Sequence, residues 1–132
     1  MGFLATKDGE RGEPAVRTVP MPSDANSNGD IFGGWVLSQM DIAGGVTANA
    51  RAHGRVATIA VTGFTFHKPV MVGDVVCCYA DIQKTGRTSI TIGIEAWALR
   101  RNESRDRLKV TEGVFTFVAI DEDGKPRPVP PQ

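Results

Sequence analysis

The stretch Gly33-Gly34-Trp35-Val36-Leu37-Ser38-Gln39-Met40-Asp41-Ile42-Ala43-Gly44-Gly45-Val46-Thr47-Ala48-Asn49-Ala50-Arg51 decides the fold. Its apolar residues Trp35, Val36, Leu37, Met40, Ile42, Ala43, Val46, Ala48 and Ala50 cover nearly the whole circumference of a helix. A helix that is apolar all round is expected to be buried, not laid on a surface. Gly44-Gly45 in its middle lowers helix propensity by about 1 kcal/mol per glycine relative to Ala. The plausible return is close approach of another backbone or of a ligand.

Upstream, Met1 to Pro14 is expected to be a flexible tail, with residues 15–132 forming one domain. Ala15 to Val19 is a short extended run, and Pro22 to Asp30 is a turn-rich loop. Downstream of Gly54 the period changes from helical to alternating. Val56 to Phe66, Val75 to Gln83, Thr88 to Leu99 and Lys109 to Ile120 read as strands, with Gly73-Asp74, Gly86 and Asp121-Glu122-Asp123-Gly124 as turns. Arg100 to Arg107 reads as a solvated loop, and the Pro-rich end from Pro126 to Pro131 is unsuited to a sheet interior. Consecutive strands joined by short turns pair antiparallel. The class is therefore α+β, with one long helix wrapped by an antiparallel sheet of about five strands. A single sheet leaves one side of that helix uncovered, so a second subunit is expected to cover it.

The chain has 132 residues and a formal net charge of zero. That length supports one core without a metal or disulfide staple, and the balanced charge argues against nucleic acid or an anionic membrane face as a partner. No stretch is long and apolar enough to span a bilayer, and no secretory signal stands at the start. The expected setting is cytoplasmic. Cys77 and Cys78 are strand neighbours pointing to opposite faces, poorly placed to bond each other and suited to a reduced protein. His53 and His67 are the only histidines, and no cluster has metal-ligand spacing, so no metal is expected. His53 suits a helix end, and His67 a strand.

Asp41 stands between Met40 and Ile42 in this apolar helix. A carboxylate there is costly unless it is paired or used. Gly33 and Gly34 precede it by two helical turns, on its face, and side chains lean toward the helix N-terminus. The first amides of a helix lack intrahelical partners and carry the positive dipole end. Glycine lets a substrate carbonyl approach them. Amide donors for a carbonyl oxygen beside a carboxylate for water or the carbonyl carbon are what acyl transfer to water requires. The same glycines would also serve a tight helix start.

The run Asn26-Ser27-Asn28-Gly29-Asp30-Ile31-Phe32-Gly33-Gly34-Trp35, with Ser38-Gln39-Met40-Asp41-Ile42-Ala43-Gly44, closely resembles the YciA-type acyl-CoA thioesterases of the hotdog superfamily. His53-Gly54-Arg55-Val56, Lys68-Pro69-Val70, Val72 to Tyr79, Gly86-Arg87-Thr88-Ser89 and Thr111 to Phe115 carry it further, over about residues 15 to 130. The resemblance implies a hotdog fold, in dimers assembled into hexamers, acting on acyl-CoA in fatty acid metabolism. It implies Asp41 as the catalytic acid and Asn26, from the opposite subunit, as its partner. As residues alone, Asn26 equally suits an Asx-turn, and Asp41 suits either a general base or a nucleophile. Coenzyme A would be part of substrate and product, with no separate cofactor. The resemblance points to Arg55, Val56, Gly86, Arg87, Thr88 and Ser89 as coenzyme contacts; phosphates need cations and free amides. Such proteins often continue into a C-terminal helix after the Pro-rich turn, whereas this chain ends at Gln132. His67 stands where a bulky apolar residue is expected. A hydratase or dehydratase on the same fold would pair the helix acid with a His, and Pro22 to Asp30 contains none. A non-catalytic acyl-CoA sensor would bring an effector or DNA-binding module.

Overall fold

The computed structural model describes residues 12–101 and 105–132. The tail expected at 1–14 therefore falls outside the described residues up to position 11, and the expected charged loop does so at 102–104. The elements are β1 (Val16–Thr18), a 3-10 turn (Pro22–Asp24), α1 (Gly33–Ala52), β2 (Val56–Phe66), β3 (Val75–Thr85), β4 (Ser89–Leu99) and β5 (Arg107–Ala119).

The helix ends where His53 takes the left-handed conformation (φ 56°) and its N–H bonds Asn49 O. Gly54 N–H reaches the same carbonyl at 3.1 Å, so the Asn49 carbonyl of the last turn is met by the next two amides. Within α1 the buried residues are Val36, Met40, Ala43, Gly44, Ala48 and Ala52, one stripe at helical spacing. A Cβ on Gly44 would lie 2.7 Å from both Ile94 Cδ1 and Phe117 Cζ. The helix therefore rests on the sheet at a distance only glycine permits.

One antiparallel sheet has the order β1-β3-β4-β5-β2, and α1 touches every strand. This is the helix-in-sheet architecture of a hotdog fold. The alternation on β4 is strict. Ile90, Ile92, Ile94, Ala96 and Ala98 are buried toward the helix, and Phe115, Phe117 and Ala119 of β5 join them. Cys78 belongs to this core, while its neighbour Cys77 is buried on the opposite face, and both are free. Burial pushes the Cys78 thiol up to about 12, so it stays protonated and unreactive.

One expectation needs correction. β2 and β3 are not a hairpin, although a short connection joins them. β2 pairs instead with β5 at the edge of the sheet. The connecting segment is drawn off by the loop before α1: Ile31 N–H bonds Val70 O at 2.9 Å and Asp30 bridges Met71. Pro69, without an N–H, cannot continue a ladder. One side of α1 stays uncovered within a single chain, as expected of one sheet. Ile42 and Val46 are 52% and 55% exposed, because a single sheet covers a single side.

Candidate active site

Asp41 lies half-buried on α1, at the wall of an open cleft of about 330 Å³. Gly34, Leu37, Ser38 and Asp41 line one side of it, at the i, i+3, i+4, i+7 spacing of one helix face. Thr58 and Val61 of β2 and Phe115 of β5 line the other. The Thr58 hydroxyl donates to Asp41 Oδ1 at 2.7 Å. The second carboxylate oxygen remains for other chemistry. Ser38 is not available as a nucleophile in this arrangement, because its hydroxyl donates back to Trp35 O at 2.7 Å.

The two glycines diverge. Seven residues turn a helix to within about 20° of the starting direction, and eight carry it about 80° past. Gly34 therefore shares the cleft with Asp41, with nothing within 4 Å of an added Cβ. Gly33 faces the next depression, where its Cβ would lie 3.2 Å from Phe66 Cζ. At this end Trp35 N–H bonds Phe32 O at 3.0 Å. The amides of Gly33 and Gly34 precede any helical acceptor and belong to the positive end of the helix.

Asn26 sits in the loop ahead of α1 and does not line the Asp41 cleft of its own chain. Its Oδ1 accepts the N–H groups of Asn28 (2.9 Å) and Asp30 (3.1 Å), an Asx-type turn. The side-chain carbonyl is thus spent on holding the loop, which leaves the Nδ2 amide as the donor that can face outward.

Arg55, Val56 and the Gly86–Ser89 turn arrive at one end of the sheet. Adjacent residues leaving β5 join them: Ala119 N–H bonds Thr88 O at 2.9 Å, and Ile120 N–H bonds Arg55 O at 3.0 Å. Gly86 N–H closes the turn onto Ser89 O at 2.8 Å, and a Cβ on Gly86 would strike Ser89 Oγ at 2.7 Å. Arg87 is exposed on this turn. Arg55 Nη1 reaches the carbonyls of Asp121 and Glu122 at 3.4 and 3.3 Å. Arg51 and Arg127 lie nearby, bonded to Pro130 O and Ile120 O. Four arginines thus gather at this end, beside the acidic Asp121-Glu122-Asp123 turn, roughly three strand residues, about 10 Å, from Thr58.

The histidines stay away from the acid. His53 caps α1. His67 follows the last residue of β2, and its Nε2 meets Glu112 Oε2 at 2.7 Å. Among the described residues no group of three His, Cys, Asp or Glu is placed to hold a metal ion, and no helix is long and apolar enough to cross a membrane.

A family model described as the thioesterase superfamily matches residues 28–104. The chain belongs to this superfamily. The acyl-CoA thioester hydrolase YciA of Salmonella typhimurium is 56% identical over 124 residues, covering 92% of this chain and 93% of that protein. A hexameric thioesterase of Yersinia pestis of known structure is 57% identical, with a TM-score of 0.85 over 92% of this chain and 98% of that one. A hexameric hotdog-fold thioesterase of Campylobacter jejuni is 39% identical, with a TM-score of 0.87 over 92% of each. Within the superfamily, then, this chain is of the YciA type.

One residue of the Asp41 cleft was missed by sequence reasoning: Thr58. It stands in the run Val56-Ala57-Thr58-Ile59-Ala60-Val61 as an ordinary strand threonine. Nothing local says which strand residue passes the Asp41 turn of the helix.

Proposed function

We propose that this chain hydrolyses acyl-CoA to coenzyme A and a carboxylic acid, with Asp41 as general base on water. The observation that carries the reading is the Asp41 carboxylate in an open, largely apolar cleft. It is gripped by Thr58 through one oxygen, in a chain of thioesterase ancestry. The free oxygen takes a proton from water as the water oxygen bonds the thioester carbon. The carbonyl oxygen gathers charge against the amides at Gly33 and Gly34, which are fixed donors needing no reorganisation. The C–S bond then breaks, and the thiolate collects a proton on leaving. Asn26 of a partner subunit would donate its Nδ2 amide to the water or the carbonyl. The coenzyme phosphates would meet Arg55, the Val56 backbone and the turn formed by Gly86, Arg87, Thr88 and Ser89.

Assembly is part of the proposal. Ile42 and Val46 on α1, and Ile59 and Val61 on the unpaired edge strand β2, are exposed apolar residues of a kind soluble chains cover. A second copy would cover them and bring its Asn26 loop to Asp41. The hexameric relatives support a hexamer built from such dimers. A cytoplasmic setting and a role in fatty acid metabolism complete the reading, with residues 15–132 acting as one catalytic domain. A hydratase is not favoured, since neither His53 nor His67 lines the Asp41 cleft.

The test is release of free thiol from acetyl-, octanoyl-, palmitoyl- and benzoyl-CoA, with Asp41→Asn in parallel. A positioned base contributes about 10²–10⁴-fold, so the variant is expected to lose at least about two decades of kcat with its oligomer intact. Equal rates from both proteins would remove Asp41 from the chemistry. No thiol from any acyl-CoA would remove the hydrolase.

A further inference from the structure

The run Pro126-Arg127-Pro128-Val129-Pro130-Pro131 leaves a backbone N–H on Arg127 and Val129 alone. Both are used. The turn after β5, closed by Asp121 N–H on Lys125 O at 2.8 Å, sends the chain back beside the exit of that strand. There Arg127 N–H bonds Ala119 O at 2.9 Å, and Val129 N–H bonds Arg87 O at 2.8 Å. The Arg127 side chain adds to these ties. Its Nε donates to Ile120 O at 2.9 Å, and its Nη2 reaches Arg55 O at 3.5 Å. A Cβ on Gly54 would lie 2.9 Å from that Nη2, so glycine leaves the guanidinium its place. Arg51 of α1 secures the far end by donating to Pro130 O at 2.6 Å. The Val129 side chain packs against the core. Prolines on either side of both donors fix φ there, so this strap loses little freedom on folding.

We infer that Arg127 and Val129 are positioning residues for the coenzyme, and that the strap they anchor presets the two segments that meet its phosphates. The inference rests on the hydrolase reading above and deepens it. Arg55 and the Gly86–Ser89 turn are far apart in sequence, and the strap ties one to the other. A trans peptide sets its N–H opposite its C=O. With the Arg87 carbonyl turned in to Val129, the Thr88 N–H of the same peptide points away from the strap. An amide so aimed, next to the exposed Arg87, is a donor suited to a phosphate oxygen. On the other segment, the Arg55 carbonyl is held by Ile120 N–H at 3.0 Å, and Arg127 braces Ile120 from its own carbonyl. Without the strap, both segments must be ordered by the coenzyme itself, and that cost falls on binding. The thioester lies elsewhere, at Asp41. Contacts to the phosphates are the same in ground and transition states, so the strap acts on KM and not on kcat.

The test compares two thioesters, acetyl-CoA and S-acetylpantetheine, which carries the same reacting group without the phosphates. Initial rates of thiol release are measured for the full chain and for Arg127→Met, Arg127→Lys and Val129→Pro. Arg127→Met keeps the side-chain stem and removes its donors. Val129→Pro removes one N–H at a separate position, so the inference does not hang on one variant. Both should raise KM for acetyl-CoA roughly threefold to tenfold, the contribution of a lost hydrogen bond, with kcat within about twofold. Their kcat/KM on S-acetylpantetheine should stay within about twofold of the unmodified chain, because that substrate does not reach the strapped end. Arg127→Lys keeps the charge without the planar fork and should behave as Arg127→Met does. An unchanged KM for acetyl-CoA in both Arg127→Met and Val129→Pro overturns the inference. So does a loss of equal size on the two thioesters, which is what a purely structural role produces. A normal KM in Arg127→Lys also overturns it, by making Arg127 a direct charge on phosphate. Each of these results leaves the hydrolase itself standing, because that reading fails only if no acyl-CoA releases thiol.

Discussion

Replacing Thr58 with Val removes one oxygen from the cleft and changes little else. The two side chains are nearly isosteric, and both favour strands. What is lost is the hydroxyl that donates to Asp41 Oδ1 at 2.7 Å. A hydrogen bond to a charged group contributes about 1.5–3 kcal/mol. Thr58 is exposed in the single chain, so the lower end of that range is the fair figure. About 1.5 kcal/mol corresponds to a tenfold change in rate. If the bond holds the carboxylate in its working orientation, kcat for a short acyl-CoA falls roughly tenfold with KM little changed, because orientation matters in the transition state more than in binding. Thr58→Ser keeps the donor and should retain most of the activity. Thermal unfolding followed in parallel should show Thr58→Val losing no more than about 1.5 kcal/mol, the contribution of the bond itself, with the protein folded at the assay temperature. A kcat within twofold of the parent for Thr58→Val would refute the positioning role. So would an equal loss in Thr58→Ser.

Other outcomes follow from the same coordinates. Arg87→Ala should raise KM for acyl-CoA more than it lowers kcat, the pattern of lost uniform binding, checked by initial rates across substrate concentration; an unchanged KM sinks the phosphate contact. Gly44→Ala forces a methyl group to within 2.7 Å of Ile94 and Phe117, and overpacking of this kind costs about 1–3 kcal/mol, read as a lowered denaturant midpoint at constant slope. Hydrogen bonds from Lys109 and then His67 hold Glu112 below the usual carboxylate range. A depressed folded-state value adds stability that is present above the unfolded carboxylate range and lost as pH falls through the folded one. Glu112→Gln should therefore lower Tm across the neutral region and leave it nearly unchanged at strongly acid pH, so that the acid limb of Tm against pH below about pH 5 is flatter than in the parent.

Much of the fold was legible because its periods are local. The strict alternation of Ile90, Ile92, Ile94 and Ala96 declared β4, and the run from Gly33 to Arg51 declared α1 to within a residue. The seven- and eight-residue spacings put Gly34 and Gly33 on the face of Asp41; Gly34 does line its cleft, whereas Gly33 turns to the next depression. The expectation of an apolar helix with one side left for a second subunit named the right residues. Ile42 and Val46 are apolar for a surface that one chain does not supply.

By itself the sequence determined the elements and their faces and singled out Asp41 and the glycines as candidates, since helix and strand periods are set within a few neighbouring residues. Only the tertiary structure decided that β2 crosses to β5, that Thr58 meets Asp41, and that Arg55 and the Gly86–Ser89 turn share one end of the sheet. Those meetings join residues seventeen or more positions apart. They depend on which strand edge stands unpaired and which face packs first, and no local pattern of side chains encodes that.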